Sequence, residues 1–287
     1  MFSPWLVKAV IFLVMLAETQ SVSLPTFGEL LRRHNIELTQ SALIAALKNP
    51  DPEVPDLAAS KLAEDRSSEA IPEIKHALAS EKLPWTRMNI AFALAGMGES
   101  VGFDTLEDNC KNADTSGHIR ARSAEYLLRF KRDSTACLGG VLDVLESGSN
   151  GDRMVAAGLL PRYRKLSKED SEKVFSGLVG ALHAPDASVR MAAGRAIAEL
   201  GDTRGIAELE RAIGGEQEEI VQSRLLEDLG ILRNKIRQRL PQEAATFCER
   251  IGQTGSKPWS CDLVAHAMNR CSMKRRSIVS DTRSLLG

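Results

Sequence analysis

Three cysteines and a histidine near the C-terminus have the side chains best suited to metal chemistry: Cys248, Cys261, His266 and Cys271. Cys261-x4-His266-x4-Cys271 matches the second half of a zinc knuckle, where thiolates and an imidazole close a tetrahedral site. The first half does not match, because twelve residues lie between Cys248 and Cys261 where a knuckle has about two. Steps of five residues also turn a helix by about 140°, so a helical 261–271 cannot aim all three ligands at one ion. No metal site is expected. An oxidised cysteine pair in this segment is the alternative that export would allow. The other two cysteines, Cys110 and Cys137, fall where equivalent helices carry Val174, Leu182 and Leu145. They are expected as buried free thiols acting as small hydrophobes.

Nucleophilic and nucleotide chemistry lack their motifs. The chain has no phosphate-binding P-loop, no GxGxxG and no GxSxG, so nothing presents an activated serine or a glycine cradle for phosphate. No catalytic residue and no cofactor are assigned. The formal net charge of −1 gives no bulk attraction to nucleic acid. The chain is 43% hydrophobic and 26% charged, which permits a substantial core. Aromatics are only 5%, a balance that suits helix-on-helix packing.

A column of arginines points to the elements that position everything else. Arg87, Arg120, Arg153 and Arg190 each sit one residue past the start of a similar segment. The segments begin at Val54, Thr86, Ile119, Asp152, Val189 and Val221, spaced by 32 to 37 residues. From Val189, apolar or small residues fall at offsets 0, 3, 4, 7, 8 and 11, one face of an α-helix, and the closing hydrophobes of the six segments align as Leu62, Leu94, Leu127, Leu160, Ile197 and Leu229. A shorter apolar helix precedes each, over 40–48, 70–79, 101–110, 135–146, 171–183 and 204–213. Offset 5 reads Ala59, Ala91, Ala124, Ala157, Gly194 and Leu226. Small side chains there admit a neighbouring repeat closely, and the last repeat has no further neighbour. Atypical ends are what a stacked array requires. The arginines are expected to bond to the neighbouring turn rather than to a bound anion, with Asp51 and Asp186 as candidate acceptors.

Turn chemistry agrees with this register. Pro72 sits near a helix start, and Gly98 and Gly201 follow second helices, where a left-handed residue is wanted. Thr39 is placed to cap the first repeat helix. The expected fold is all-α, an α-solenoid of about six helix-pair repeats.

The stretches AIPEIKHAL (70–78), ALHAPDASVRMAAGRAIAELGD (181–202) and RGIAELERAI (204–213) resemble HEAT repeats of the bilin-lyase-like subclass, over roughly 38–235. The resemblance implies a repeat scaffold and a non-enzymatic member, since most of that repeat family builds interaction surfaces. One HEAT-class enzyme, a di-iron hydroxylase, carries repeated His-Glu pairs. Here the residues after His34, His76, His118, His183 and His266 are Asn, Ala, Ile, Ala and Ala, so that ligand set is missing. No catalytic residue of the lyases transfers to this sequence.

The two ends read differently from the array. Lys8 followed by the uncharged run AVIFLVMLA at 9–17 rises only about 14 Å as a helix, too short to span a bilayer. With Ser21 and Ser23 before Leu24, residues 1–23 are expected as a signal peptide. That places the chain outside the cytoplasm, periplasmic or secreted, with no integral membrane span after cleavage. Residues 24–37 are expected as a capping helix with Phe27, Leu30 and Leu31 inward. The solenoid spans 24–240, Pro241 should stop the last helix, and 241–287 is expected as a flexible basic tail with one short helix near 261–270.

The binding surface follows from the register. Offsets 2, 6 and 9 point away from the buried face, toward the concave side of such an array. They carry Met88, Met154, Met191, Phe92, Arg195 and Leu128, with Arg129 and Arg162 at the rim. An apolar strip there would suit a protein or peptide partner, an amphipathic helix being the simplest. The alternatives are an enzyme of the HEAT-like lyase class with an unrecognised site, or a purely structural envelope protein.

Overall fold

The computed structural model describes residues 24–131 and 135–253, the last fourteen as backbone only. Thirteen α-helices and no strand occur among them. They are α1 (Phe27–Arg33), α2 (Gln40–Ala46), α3 (Val54–Glu64), α4 (Ile71–Ser80), α5 (Pro84–Gly96), α6 (Ser100–Lys111) and α7 (Gly117–Arg129). They continue with α8 (Leu138–Ser147), α9 (Asn150–Leu159), α10 (Lys168–Ala181), α11 (Ala187–Leu200), α12 (Gly205–Gly215) and α13 (Glu219–Gln253). After the capping helix α1 they follow one another as the first and second helices of six repeats, an all-α solenoid architecture. The chain divides into two compact units, one ending at Asn109 and the other beginning at Cys110.

Local chemistry accounts for the helix ends. Thr39 accepts a hydrogen bond from Ala42 N at 3.3 Å and caps α2. Ser116, Ser149, Ser167 and Asp186 cap α7, α9, α10 and α11 in the same way, each satisfying an amide the helix leaves unbonded. Pro72 opens α4. Gly98 and Gly201 have φ of 87° and 72°, the left-handed turn that a side chain would strain.

In the first unit α1 packs on α3, α2 and α3 pair, α4 and α5 pair, and α5 lies along α3. Thr86 donates to Pro52 O at 3.2 Å and Asn89 to Asp56 at 2.6 Å, drawing α5 onto α3. Of the three inward residues expected in α1, Leu31 is fully buried, but Phe27 remains 40% exposed. In the second unit α7, α9, α11 and α13 form a row of second helices, and α8 and α10 pack as first helices behind it. The small column is buried throughout: Ala59, Ala91, Ala124 and Ala157 have no exposed surface. At Gly194 a Cβ would stand 2.3 Å from Leu225 Cδ2. What the gap admits there is a leucine side chain of the next repeat, not its backbone.

Two sequence expectations are corrected. Cys110 and Cys137 are not free thiols; they form a disulfide with Cα atoms 5.4 Å apart, joining the end of α6 to the turn before α8. The two positions are 27 residues apart in sequence and meet only in the folded chain. Likewise α13 does not stop at Pro241 but runs to Gln253. A proline removes one N–H, and the bonds of the neighbouring turns carry the helix past it. The tail boundary expected at 241 therefore falls inside α13, and residues 254–287, like 1–23, lie outside the described residues. So do Cys261, His266 and Cys271.

Three of the four arginines of the column are structural, with acceptors other than those expected, and Arg87 is exposed. Arg120 donates to Cys110 O at 3.5 Å and Asp143 at 2.9 Å, and Arg153 donates to Leu145 O at 2.8 Å. Arg190 donates to Ala184 O and Pro185 O and to both Glu216 and Glu218. Each of these three guanidinium groups thus satisfies carbonyls left unbonded where the first helix of its own pair ends. Asp186 is used as a helix cap and Asp51 pairs with His34 at 3.1 Å, so neither serves the arginines.

Candidate functional site

The row of second helices in the second unit carries a groove of about 570 Å³, within the size range of ligand pockets. Three helices build it. Met154 comes from α9, Met191 and Arg195 from α11, and Ile220, Arg224 and Glu227 from α13. The helical period explains why these side chains share one side. On α11, Val189, Ala193, Ala196 and Ile197 are buried, which turns offsets 2 and 6 outward. On α13, Val221, Leu225, Asp228, Leu229 and Leu232 are buried, leaving Ile220, Arg224 and Glu227 on the open side.

The apolar part of the groove is accessible. Ile220 is 71% exposed and Met154 41%, well above the ordinary burial of such side chains. The charged part is internally paired. Arg195 bonds to Glu199 at 3.1 Å and to Asp228 at 3.4 Å, and Arg224 bonds to Glu227 at 2.9 Å. Asp228 is fully buried, and its Oδ2 has no hydrogen-bond partner. Burial pushes the Asp228 carboxyl above the usual aspartate range, against the opposing pull of the Arg195 bond and the nearby Arg224 charge.

Of the eight residues named from sequence, the groove unites Met154, Met191 and Arg195. Leu128 is half-buried on α7. Arg129 is exposed, bonded to Glu125 at 2.9 Å and set 5.7 Å over the Tyr126 ring. Burial raises the Glu125 carboxyl, but the bonds and charges of Arg129 and Arg122 outweigh it and hold it below the usual range. Arg162 is exposed in the turn after α9. Phe92 is half-buried on α5 in the first unit. Met88 has no exposed surface and is removed from the strip, because α5 is held against α3 by the flanking bonds of Thr86 and Asn89. Ile220, Arg224 and Glu227 were not named from sequence. Ile220 precedes the register start Val221, and only the approach of α13 to α11 brings it to the groove.

With this geometry in view, comparison with known families identifies the repeat. The HEAT repeat model matches residues 40–136, and the PBS lyase HEAT-like repeat model matches residues 189–214. Residues 40–136 and 189–214 carry HEAT repeats. The second match spans Val189–Gly214, so the HEAT array has its bilin-lyase-like segment where α11 forms one wall of the groove. No curated protein matches the sequence. Solved structures similar to the HEAT array include a designed armadillo repeat protein in complex with the peptide (KR)4, at 18% identity and TM-score 0.43, covering 66% of this chain and 98% of that one. Human deoxyhypusine hydroxylase in complex with glycerol aligns at 14% identity and TM-score 0.36, covering 68% and 84%. The complex of CpcE and CpcF of phycocyanin lyase from Nostoc sp. PCC7120 aligns at 17% identity and TM-score 0.28, covering 66% and 96%. No described helix is long and apolar enough to cross a membrane.

Proposed function

We propose that this HEAT array is an exported, non-catalytic scaffold that binds a protein or peptide segment in the groove between α9, α11 and α13. The observation that carries the reading is the exposure of Ile220 and Met154 around Met191. Contiguous exposed apolar surface favours burial against a partner, and methionine adapts its shape to different side chains. The segment that fits is an amphipathic helix with apolar residues at i, i+3, i+4 and i+7. The charged rim supports binding over catalysis. Arg195, Glu199, Asp228, Arg224 and Glu227 are engaged with one another rather than arranged as a nucleophile beside a base.

Export is supported by the signal-like residues 1–23 and by the buried Cys110–Cys137 disulfide, a bond that persists in oxidising compartments. N-terminal sequencing of the protein recovered outside the cytoplasm should begin at Leu24. The binding test is selection from a display library of amphipathic helical peptides. The full chain should enrich peptides with the i, i+3, i+4, i+7 pattern, and Ile220→Asp with Met154→Glu should abolish binding without changing the melting temperature. Enrichment unaffected by those substitutions would remove the groove from the proposal.

A further inference from the structure

We infer that the segment bound in the groove carries acidic residues at one end, and that these dock on a cationic edge formed by Arg162, Arg164, Lys235 and Arg239. The inference rests on reading the groove as a peptide-binding surface and adds the charge of its partner. It starts from the wall that α13 supplies. Ile220, Arg224, Glu227, Ile231 and Lys235 recur at i, i+4, i+7, i+11 and i+15, one face of a helix. The wall therefore runs on past the groove through Ile231, 38% exposed, to Lys235, about 12 Å beyond Glu227. α11 lies beside it in the same direction. Arg195 donates to Asp228, Lys235 to Glu199 O, and Arg239 Nη1 to Gly201 O at 3.3 Å.

The charge balance changes along this wall. In the groove, Arg195 and Arg224 each have a carboxylate. At the edge, the Glu199 carboxylate is taken by Arg195 at 3.1 Å and that of Asp202 by Arg204 at 2.6 Å. Lys235 and Arg239 donate to carbonyl oxygens, which carry no net charge. More positive charge comes from the turn after α9, where Leu160–Arg162 packs on α11 and Arg162 and Arg164 are exposed. Burial, then the charges of Arg239 and Arg164, hold the Lys235 ammonium below the ordinary lysine range, against the pull of Glu199. None of Arg162, Arg164, Lys235 and Arg239 forms an ion pair among the described residues. Uncompensated like charge attracts anions, and guanidinium groups bond carboxylates strongly. Because the apolar groove and this edge share one face of α13, a single ligand helix laid along α13 spans both. Its acidic residues fall about 11 to 15 positions from the apolar residue nearest Ile220.

A display library tests this. Each peptide has apolar residues fixed at i, i+3, i+4 and i+7, with random residues on both sides. The wild-type chain should enrich Asp and Glu on one side of the stripe. Arg162→Glu with Arg164→Glu should weaken a selected acidic peptide by about tenfold, and so should Lys235→Glu; the peptide's Gln-substituted counterpart should bind all three proteins alike. The turn substitutions break no bond of the fold, so they read the edge even where Lys235→Glu loosens the end of α11. Binding of the acidic peptide should also weaken as sodium chloride is raised. Stripe peptides that bind without acidic enrichment would overturn the inference and leave the groove reading standing, as would an acidic preference that survives both charge reversals. Sedimentation with phosphatidylglycerol vesicles that both charge reversals abolish, with no preference for acidic peptides, would assign the edge to a membrane surface and overturn it too. If no stripe peptide binds at all, the groove reading fails with it.

Discussion

Arg195 Nη1 lies 3.4 Å from Asp228 Oδ1 across the gap between α11 and α13, with the aspartate fully buried and the arginine 45% exposed. The bond ties the penultimate second helix to the last one at the edge of the groove. It does not fully offset burial, since the Asp228 carboxyl stays above its usual range and Oδ2 is unbonded.

This sets a sign for pH dependence. Burial raises the folded-state pKa of Asp228 above the ordinary aspartate value, so the folded state holds the proton more tightly than the unfolded one. Lowering the pH from neutral through the raised pKa should therefore relieve a penalty at this site, until protonation of the unfolded state near pH 3.8 ends the gain. Asp228→Asn should remove that local contribution and change stability at neutral pH by no more than about 1 kcal/mol. Denaturant melts of both proteins across pH check it. Identical pH profiles would show that Asp228 does not titrate in this window.

Arg190 should matter far more than Arg87. Arg190 donates to Glu216, Glu218 and two backbone carbonyls, whereas Arg87 is exposed. Arg190→Met should cost about 2–4 kcal/mol, through the loss of charge-assisted bonds and the stranding of their acceptors. Arg87→Met should cost less than about 0.5 kcal/mol. Urea unfolding of the two variants decides it, and equal losses would refute the structural role assigned to the column.

Enlarging the small column should force adjacent repeats apart. Ala157 has no exposed surface, and Ala157→Leu should cost about 1–3 kcal/mol by overpacking. Ala124→Leu should behave alike. Thermal unfolding reads the outcome as a midpoint lowered by several degrees. Leu226→Ala, at the same offset in the last repeat but 52% exposed, should leave the midpoint nearly unchanged.

Reduction of the Cys110–Cys137 bond should weaken the second unit. Opening a cross-link with a sequence separation of 27 residues removes about 3–4 kcal/mol in the chain-entropy treatment. Cys110→Ser with Cys137→Ser should reproduce the effect of reductant, and reductant should then have no further effect on that variant. Melting curves with and without dithiothreitol provide the check.

The sequence by itself determined the repeated helices, their register and a few of their caps, those at Thr39, Gly98 and Gly201. Those features depend on spacings of three, four and about thirty-three residues and on the few side chains that terminate a helix, all of which are local along the chain. The burial of the column from Ala59 to Gly194 was legible for the same reason. Only the tertiary structure decided which outward positions stay open. Met88 and Met154 occupy the same offset, yet one is buried and the other exposed, because exposure depends on how closely a neighbouring helix is drawn in by bonds such as Asn89 to Asp56. Pairing at a distance was equally beyond the sequence: Cys110 with Cys137, Arg190 with Glu216, and Ile220 with Met191 across the groove. These partners belong to different helix pairs, and no periodicity within a single helix states how far the next one slides before its side chains interlock.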